Sequence, residues 1–156
     1  MNQTIRIDIS SKTQSYCPIA ACAEVMADRW SIIILRDIAI CNKRTFRSIL
    51  TNSNERISNG VLAGRLKRLT DIGLLSFMGD PVHSQRKIYC LSPAAIDFVP
   101  ILIDMSIWAL THASPSNEPI AFPSNVERPQ SQYSKELTDR LRSVHLDPTR
   151  ANACLI

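Results

Sequence analysis

The sequence predicts a mainly α-helical domain that carries one small β-hairpin. Through most of residues 17–112, apolar side chains recur at steps of three and four, which is the period of an α-helix. Two short stretches, 74–77 and 86–91, instead have the pattern of strands, and Gly79-Asp80-Pro81 between them is strong turn chemistry. With 156 residues and 45% hydrophobic content, the chain can bury one sizeable core, so one domain is expected.

The composition divides the chain into three parts. Residues 1–15 are polar and are expected to form a mobile N-terminal arm. Residues 16–112 hold the helical periodicity and form the domain. Five of the nine prolines lie in residues 113–156, so this tail is expected to be extended and partly disordered, with one short amphipathic helix at 133–144.

Two helices are predicted at the start of the domain. Pro18 suits the first position of a helix, where its missing N–H costs nothing, and this helix is expected to run to Trp30. Residues 31–40 are apolar enough to be central to the core. They could also be a buried strand, but their length and the lack of turn residues favour a second helix.

The stretch 57–75 organises the rest of the prediction. Ser58 has the hydroxyl that a helix N-cap needs, and leucines at 62, 66 and 69 line one face up to Gly73, which is expected to end the helix. The opposite face has small side chains near the start of the helix and basic side chains near its end; its residues are Gly60, Ala63, Gly64, Lys67 and Arg68. Each interior glycine costs roughly 0.5–1 kcal/mol relative to Ala, which close approach of another molecule would offset. The alternative is a core helix with solvated cations outside.

A short helix at 46–50 precedes this stretch. Thr45 is placed to cap it, and Arg44 and Arg47 are expected to face outward. A polar turn then leads into the longer helix. Three helices in this order, the last two joined by a turn, form a helix-turn-helix arrangement.

The hairpin and a last helix follow. The two strands and their loop would form a wing that carries Arg86 and Lys87. Ser92 and Pro93 are a cap and a first helical residue, and Pro100 should kink or divide the helix after them. This segment is more apolar than a lone terminal helix requires, which suggests burial against a second subunit. The alternative is packing on its own core.

Positive charge is concentrated in the middle of the chain. Residues 29–68 hold nine Lys/Arg and two acids, a net +7, whereas the whole chain has a net charge of +4. Such a block is typical of a protein with a polyanionic partner, although solvated helix faces also carry charge. No apolar run approaches the roughly 18–20 residues of a membrane span, and the N-terminus lacks the apolar region of a secretory signal.

The cysteines and histidines predict neither a metal site nor an active site. Five cysteines without a signal sequence indicate free thiols in a reducing cytoplasm. Cys17 and Cys22 are five residues apart, about 140° around a helix, and no CxxC motif occurs. His83, His112 and His145 are scattered, and the last two are most simply solvated surface residues. We therefore expect no enzyme, no catalytic residues, no metal and no cofactor.

The motifs in their order resemble one family. The segments CPIAACAEVMADRWSIIILRDI, RTFRSIL, ISNGVLAGRLKRLTDIGLL and KIYCLSPAAIDFVPIL are similar to the HxlR-type winged-helix transcriptional regulators, relatives of MarR, over residues 16–112. The resemblance implies a homodimer joined through N- and C-terminal dimerisation helices. It also implies a pseudo-palindromic operator of double-stranded DNA with half-sites about 10 bp apart. The wing GDPVHSQRK, the cap Ser92 and the tail after 113 depart from the family pattern.

Site residues follow from this resemblance. Ser58, Asn59 and Ala63 are candidates for base contacts, with Gly60 and Gly64 allowing close approach. The other predicted DNA-binding residues, mostly expected at phosphates, are Arg44, Thr45, Arg47, Arg65, Lys67, Arg68, Arg86 and Lys87.

The family also gives a hypothesis about regulation. A cysteine before this proline is the sensor in several members that respond to oxidants or electrophiles, so Cys17 is the candidate regulatory residue. A buried structural thiol is the alternative. Two other hypotheses stay open: a winged-helix protein-interaction module without DNA binding, and a regulator that responds to a small-molecule or metal ligand.

Overall fold

A computed structural model describes residues 17–26, 28–51, 55–112 and 130–147. Within these ranges the elements are, in order, α1 (Pro18–Met26), α2 (Arg29–Ala39), α3 (Phe46–Thr51), α4 (Asn59–Asp71), β1 (Leu75–Gly79), β2 (Lys87–Leu91), α5 (Pro93–His112) and α6 (Gln130–His145). The predicted mainly α-helical fold with one hairpin is confirmed. The predicted arm at 1–15 and most of the predicted tail lie outside the described residues.

The boundary between α1 and α2 differs from the prediction. The first helix ends at Met26 rather than Trp30, because Asp28 begins a new helix. Asp28 is extended, and its carboxylate accepts hydrogen bonds from the backbone N–H groups of Trp30 and Ser31, both at 3.0 Å. The second helix is buried along Ile34, Leu35 and Ile38, so its predicted helical state and central place in the core are confirmed.

Helix α4 begins and ends where its capping residues predict. The Ser58 hydroxyl accepts a hydrogen bond from the Val61 N–H, and the leucines at 62, 66 and 69 are buried in the core. Gly73 follows the helix with a φ of 79°, a conformation that glycine adopts without strain. Its N–H donates to the Thr70 carbonyl at 3.0 Å and closes the last turn.

The hairpin is antiparallel and pairs Leu75 with Leu91 and Gly79 with Lys87. It begins one residue later and extends two residues further on its first strand than predicted. The segment before α3 joins the other edge of β2, where Thr45 bridges Ile88 and the Tyr89 N–H donates to the Arg44 carbonyl at 2.7 Å. This pairing fixes the start of α3 against the hairpin.

Helix α5 runs unbroken through Pro100, so it is not divided. Its first half packs into the core through Ile96, Val99 and Ile103. From Ile101 onward, several outward-facing residues are also apolar, and they include Ile101, Met105, Trp108 and Leu110.

By length and composition α5 could span a membrane, contrary to the sequence expectation that no apolar run is long enough. Its two aspartates, Asp97 and Asp104, interrupt the apolar run, but the mean hydropathy of the helix stays within the range of membrane-spanning helices. Both pair with α6, Asp97 with Arg142 and Asp104 with Gln130. Packing against α2, β2 and α6 accounts for the apolar residues of the first half of α5.

The tail helix predicted at 133–144 is longer and belongs to the core. Helix α6 packs on α5 and β2 and buries Leu137 and Leu141. The expectation that His145 is a solvated surface residue is wrong, because it is buried and its Nδ1 accepts a hydrogen bond from the Leu91 N–H at 3.0 Å. Burial lowers the pKa of His145 to about 3, and the charge of Arg44 acts in the same direction.

Candidate nucleic-acid interface

The first two turns of α4 form an open surface. Ser58, Asn59, Gly60, Ala63 and Gly64 are all exposed, as the sequence predicts. Across the part of the chain that the structure describes, a Cβ added to Gly60 or to Gly64 would meet no atom within 4 Å. Packing inside the domain therefore does not require these glycines, and the helix backbone is accessible to another molecule.

The two arginines of α4 are bound to the junction of α1 and α2. Arg65 donates from Nε to the Asp28 carboxylate at 2.9 Å. Arg68 donates to the backbone carbonyls of Val25 and Glu24, each at 2.9 Å. Both guanidinium groups stay partly exposed, but their geometry is set by the protein.

Asp28 thus has two roles at this junction, as cap of α2 and as partner of α4. Burial alone would raise its pKa, but the hydrogen bonds from Ser31 and the charge of Arg65 outweigh burial and hold the pKa below its usual value. The carboxylate is therefore charged at neutral pH and ties α4 to the rest of the domain.

Two of the predicted cations, Arg47 and Lys67, are exposed on the helices α3 and α4. Arg47 lies on the exposed side of α3. Lys67 has a side chain that is 76% exposed and forms an ion pair with Asp71 at 2.5 Å, one turn further along α4. Sequence reasoning left Arg56 out of the site, although it is exposed two residues before the Ser58 cap and has a φ of 55°. Its position beside the cap is the signal that could have found it.

The prediction that Arg44 faces outward is wrong. Its side chain is completely buried and donates from Nε to the Tyr89 carbonyl at 3.1 Å and from Nη2 to the Cys90 Sγ at 2.9 Å. The physical reason is that Arg44 precedes α3 in an extended segment paired with β2, so its side chain enters the core beside the hairpin.

Thr45 lies in the same segment and is also buried. Its Oγ1 accepts a hydrogen bond from the Ser48 N–H at 3.1 Å, which confirms the predicted cap of α3. Burial contradicts its inclusion among the DNA-binding residues, because the hydroxyl faces the first turn of α3 rather than the surface.

The wing loop is organised by one buried carboxylate. Asp80 accepts hydrogen bonds from the backbone N–H groups of Val82, at 2.7 Å, and His83, at 3.1 Å, and pairs with the guanidinium of Arg86. Burial would raise the pKa of Asp80, but these hydrogen bonds and the charge of Arg86 lower it. Arg86 therefore shapes the wing, while Val82 and His83 are exposed near its tip.

Lys87, the other predicted wing cation, is exposed on β2. Its ammonium lies 4.0 Å from the centre of the Phe77 ring, within the range of a cation–π contact. The ring holds the side chain on the outer face of the hairpin.

The thiols differ in exposure. Cys17 is exposed directly before α1, and its carbonyl accepts a hydrogen bond from the Ala21 N–H at 2.9 Å. Cys22 is exposed, Cys41 is half-buried and Cys90 is buried. Burial raises the pKa of Cys41, and the nearby Asp37 raises it further. Over the described ranges, no group of three or more His, Cys, Asp or Glu is placed to hold a metal ion.

A second open surface lies between α1, α2 and α5. It is an apolar groove of about 630 Å³ whose lining includes Ile19, Cys22, Met26, Phe98, Ile101 and Met105. Ile19 and Trp108 are among the most exposed large apolar side chains of the described residues, at 81% and 66%.

Comparison with protein families decides the identity of this fold. The model of the HxlR-like helix-turn-helix family matches residues 25–117. The chain belongs to the HxlR family. It is therefore a DNA-binding transcriptional regulator with a winged helix-turn-helix, and the family is one of regulators rather than enzymes. Comparison with curated protein sequences finds no match.

Several solved structures are similar to this chain. PA1607, described as a candidate transcription factor, superposes with a TM-score of 0.63 at 23% identity, over 75% of this chain and 82% of that one. The reduced form of the transcriptional regulator YodB from B. subtilis has a TM-score of 0.50 at 25% identity, over 66% of this chain and all of that one. A third, PA1374 from Pseudomonas aeruginosa, has a TM-score of 0.47 at 28% identity, over 72% and 78% of the two chains.

Proposed function

We propose that this HxlR protein is a cytoplasmic homodimer that binds a pseudo-palindromic operator with its two α4 helices. The observation that carries the proposal is the open outer face of α4. Gly60 and Gly64 are exposed, cost helix stability and are not required by packing among the described residues. A helix with such a face can lie deep in the major groove of DNA.

The contacts divide into those that read bases and those that position the helix. Asn59 is suited to adenine and Ala63 to a thymine methyl group. Arg47 and Lys67 are suited to phosphates, as is Arg56 beside the cap. The exposed parts of Arg65 and Arg68 are suited to the flanking backbone, and Arg86 and Lys87 of the wing to a phosphate or the minor groove beyond it.

The dimer would form through α1 and α5. These helices border the apolar groove, whose lining includes Ile19 and Ile101, and α5 exposes a further large apolar side chain at Trp108. Covering these groups removes apolar area from water, which is the main driving force of association. A two-fold arrangement of this kind would set half-sites on the order of 10 bp apart.

A substitution at the glycines tests DNA binding separately from folding. The wild-type chain is first used to select duplexes from a random pool. In a Gly60→Leu, Gly64→Leu double variant both new side chains would lie on the open face of α4, so the variant should fold and dimerise. It should nevertheless lose binding to the selected duplexes. Ser143→Leu, an exposed position on α6, is the matched control and should bind normally. The proposal fails if the wild type selects no duplex or if the double variant binds like the control; the first result favours a protein-interaction module.

We also propose that Cys17 makes this binding sensitive to oxidants. Cys17 is exposed at the start of α1, next to the proposed dimer contact, so a modification there would alter how the two recognition helices are spaced. Peroxide would transfer an oxygen atom to the thiolate, which gives a sulfenic acid and releases water or hydroxide.

Mass spectrometry after mild peroxide or quinone treatment tests this role, with the buried Cys90 as an internal unreactive thiol. Wild type and Cys22→Ser should release the operator on oxidation, whereas Cys17→Ser should keep it. An unmodified Cys17 under conditions that oxidise Cys22 would remove the sensor from the proposal and leave the DNA-binding function untouched.

A further inference from the structure

The first two turns of α4 present few groups that can hydrogen-bond to bases. Gly60 and Gly64 occupy the centre of the outer face, and Val61 and Ala63 lie on its two sides. Val61 is 38% exposed, which leaves its methyl groups accessible on a face that otherwise lacks large apolar side chains. Asn59 is the amide on this surface, and the Ser58 hydroxyl already caps the helix at 3.4 Å from the Val61 nitrogen.

The guanidinium groups of α4 itself are bound to the junction of α1 and α2, whereas the exposed cations Arg56 and Lys67 lie outside the first two turns of α4 and are proposed phosphate contacts. Arg65 is bound to Asp28, and Arg68 is bound to the backbone carbonyls at the end of α1. Arg or Lys on the O6 and N7 atoms of guanine is the commonest specific contact in the major groove. The first two turns of α4 therefore lack the chemistry that selects G·C pairs.

The same turns have the chemistry that selects A·T pairs. Thymine alone presents a methyl group in the major groove, and adenine presents the donor and acceptor that an amide pairs with. We propose that Val61, together with Ala63, contacts thymine methyl groups, so that each half-site is A·T-rich where the first two turns of α4 lie. The inference rests on the proposed function and adds the class of sequence that the same site selects.

The experiment removes methyl groups from the DNA. Duplexes are selected from a random pool with the full chain, and the best binders are resynthesised with deoxyuridine in place of single thymidines. For wild type, loss of one contacted methyl group should weaken binding about fourfold, the value of roughly one buried methyl group.

Matched variants assign the effect to a residue. Val61→Ala should bind the thymidine and deoxyuridine duplexes equally at one position of each half-site, because its contact is already lost. Val82→Ala, an exposed valine near the wing tip, should keep the full difference at that position. Both variants should melt like wild type, since neither side chain belongs to the buried core.

The possible outcomes distinguish a failure of the thymine-methyl inference from a failure of the proposed function. Selected half-sites with G·C pairs opposite α4, or tight binding that deoxyuridine leaves unchanged, would overturn the inference while the proposed function stands. Failure to select any duplex would overturn the proposed function and this inference with it. Loss of methyl sensitivity in Val82→Ala instead of Val61→Ala would assign the contact to the wing and overturn the inference.

Discussion

Helices α4 and α5 have similar inner faces and very different outer faces. Both bury leucine, isoleucine or valine at helical spacing in one core. The outer face of α4 holds glycine, alanine, asparagine, lysine and one valine, Val61, whereas that of the second half of α5 includes the larger apolar side chains of Met105 and Trp108. Exposure is common to both faces, so composition decides which partner each one suits.

The difference follows from what each partner requires. DNA is a hydrated polyanion, and its grooves accept a narrow helix surface with a few polar groups and nearby cations. A protein partner instead stabilises contact by removing apolar area from water. Under the proposed function, α4 therefore contacts the operator and α5 the second subunit. Four predictions, from the largest expected effect to the smallest, test this division and the side chains that the core holds beside it.

The largest effect should come from the α5 face. Met105→Glu would place a carboxylate in the proposed subunit contact, which is strongly unfavourable without a partner. The variant should sediment as a monomer and bind the operator about 100-fold more weakly, because two linked half-site contacts become one. Ser131→Glu adds the same charge at an exposed position of α6 and should remain dimeric. A dimeric Met105→Glu protein would end the assignment of α5 to the interface.

Two arginines three residues apart compare a buried side chain, that of Arg44, with an exposed one, that of Arg47. Arg44→Met should lower the free energy of unfolding by about 2–3 kcal/mol, because it removes charged hydrogen bonds to Tyr89 and Cys90 inside the core. Arg47→Met should change it by less than about 0.5 kcal/mol and weaken DNA binding instead. Urea unfolding and gel shifts measure the two quantities, and equal stability losses would contradict the structure.

The pH dependence tests whether α6 belongs to the core. His145 has a pKa of about 3 in the folded chain against about 6.5 when unfolded, so the unfolded state binds more protons as the pH falls below 6.5. Stability should thus be full above pH 6.5 and fall by about 1–2 kcal/mol between pH 7 and pH 5. Asn can accept the same hydrogen bond without titrating, so His145→Asn should flatten this window.

The carboxylates with shifted pKa values affect stability in a lower pH range than His145 does. Hydrogen bonds from Arg36 lower the pKa of Glu55, and the pKa values of Asp28 and Asp80 are also lowered, so these carboxylates affect stability only near and below their ordinary values of about 4. A wild-type stability that is constant between pH 7 and pH 5 would show that His145 is not buried in solution.

The smallest effect should come from Lys67 on the exposed side of α4. Lys67→Ala should weaken binding to all duplexes by a similar factor and reduce the salt dependence of the logarithm of affinity by about one unit. Lys135→Ala removes the same charge from an exposed position of α6, which packs on α5 and β2, and should leave the slope unchanged. An unchanged slope in Lys67→Ala would remove this residue from the phosphate contacts.

The sequence by itself determined the local features of this HxlR fold. Ser58 and Gly73 mark the ends of the recognition helix, and Pro18 and Pro93 mark the starts of two others. These signals act within a few residues, through a capping hydroxyl, a left-handed backbone or a missing N–H. They can be found without knowing what lies opposite in space.

Only the tertiary structure decided which charged and titratable groups face outward. Arg44 meets Tyr89, Arg68 meets Val25 and His145 meets Leu91, across separations of 45, 43 and 54 residues. Helical periodicity gives the direction of a side chain relative to its own helix, but not which other element covers it. For that reason Arg44 and His145 were predicted on the surface and are found in the core, where they join the hairpin to α3 and to α6.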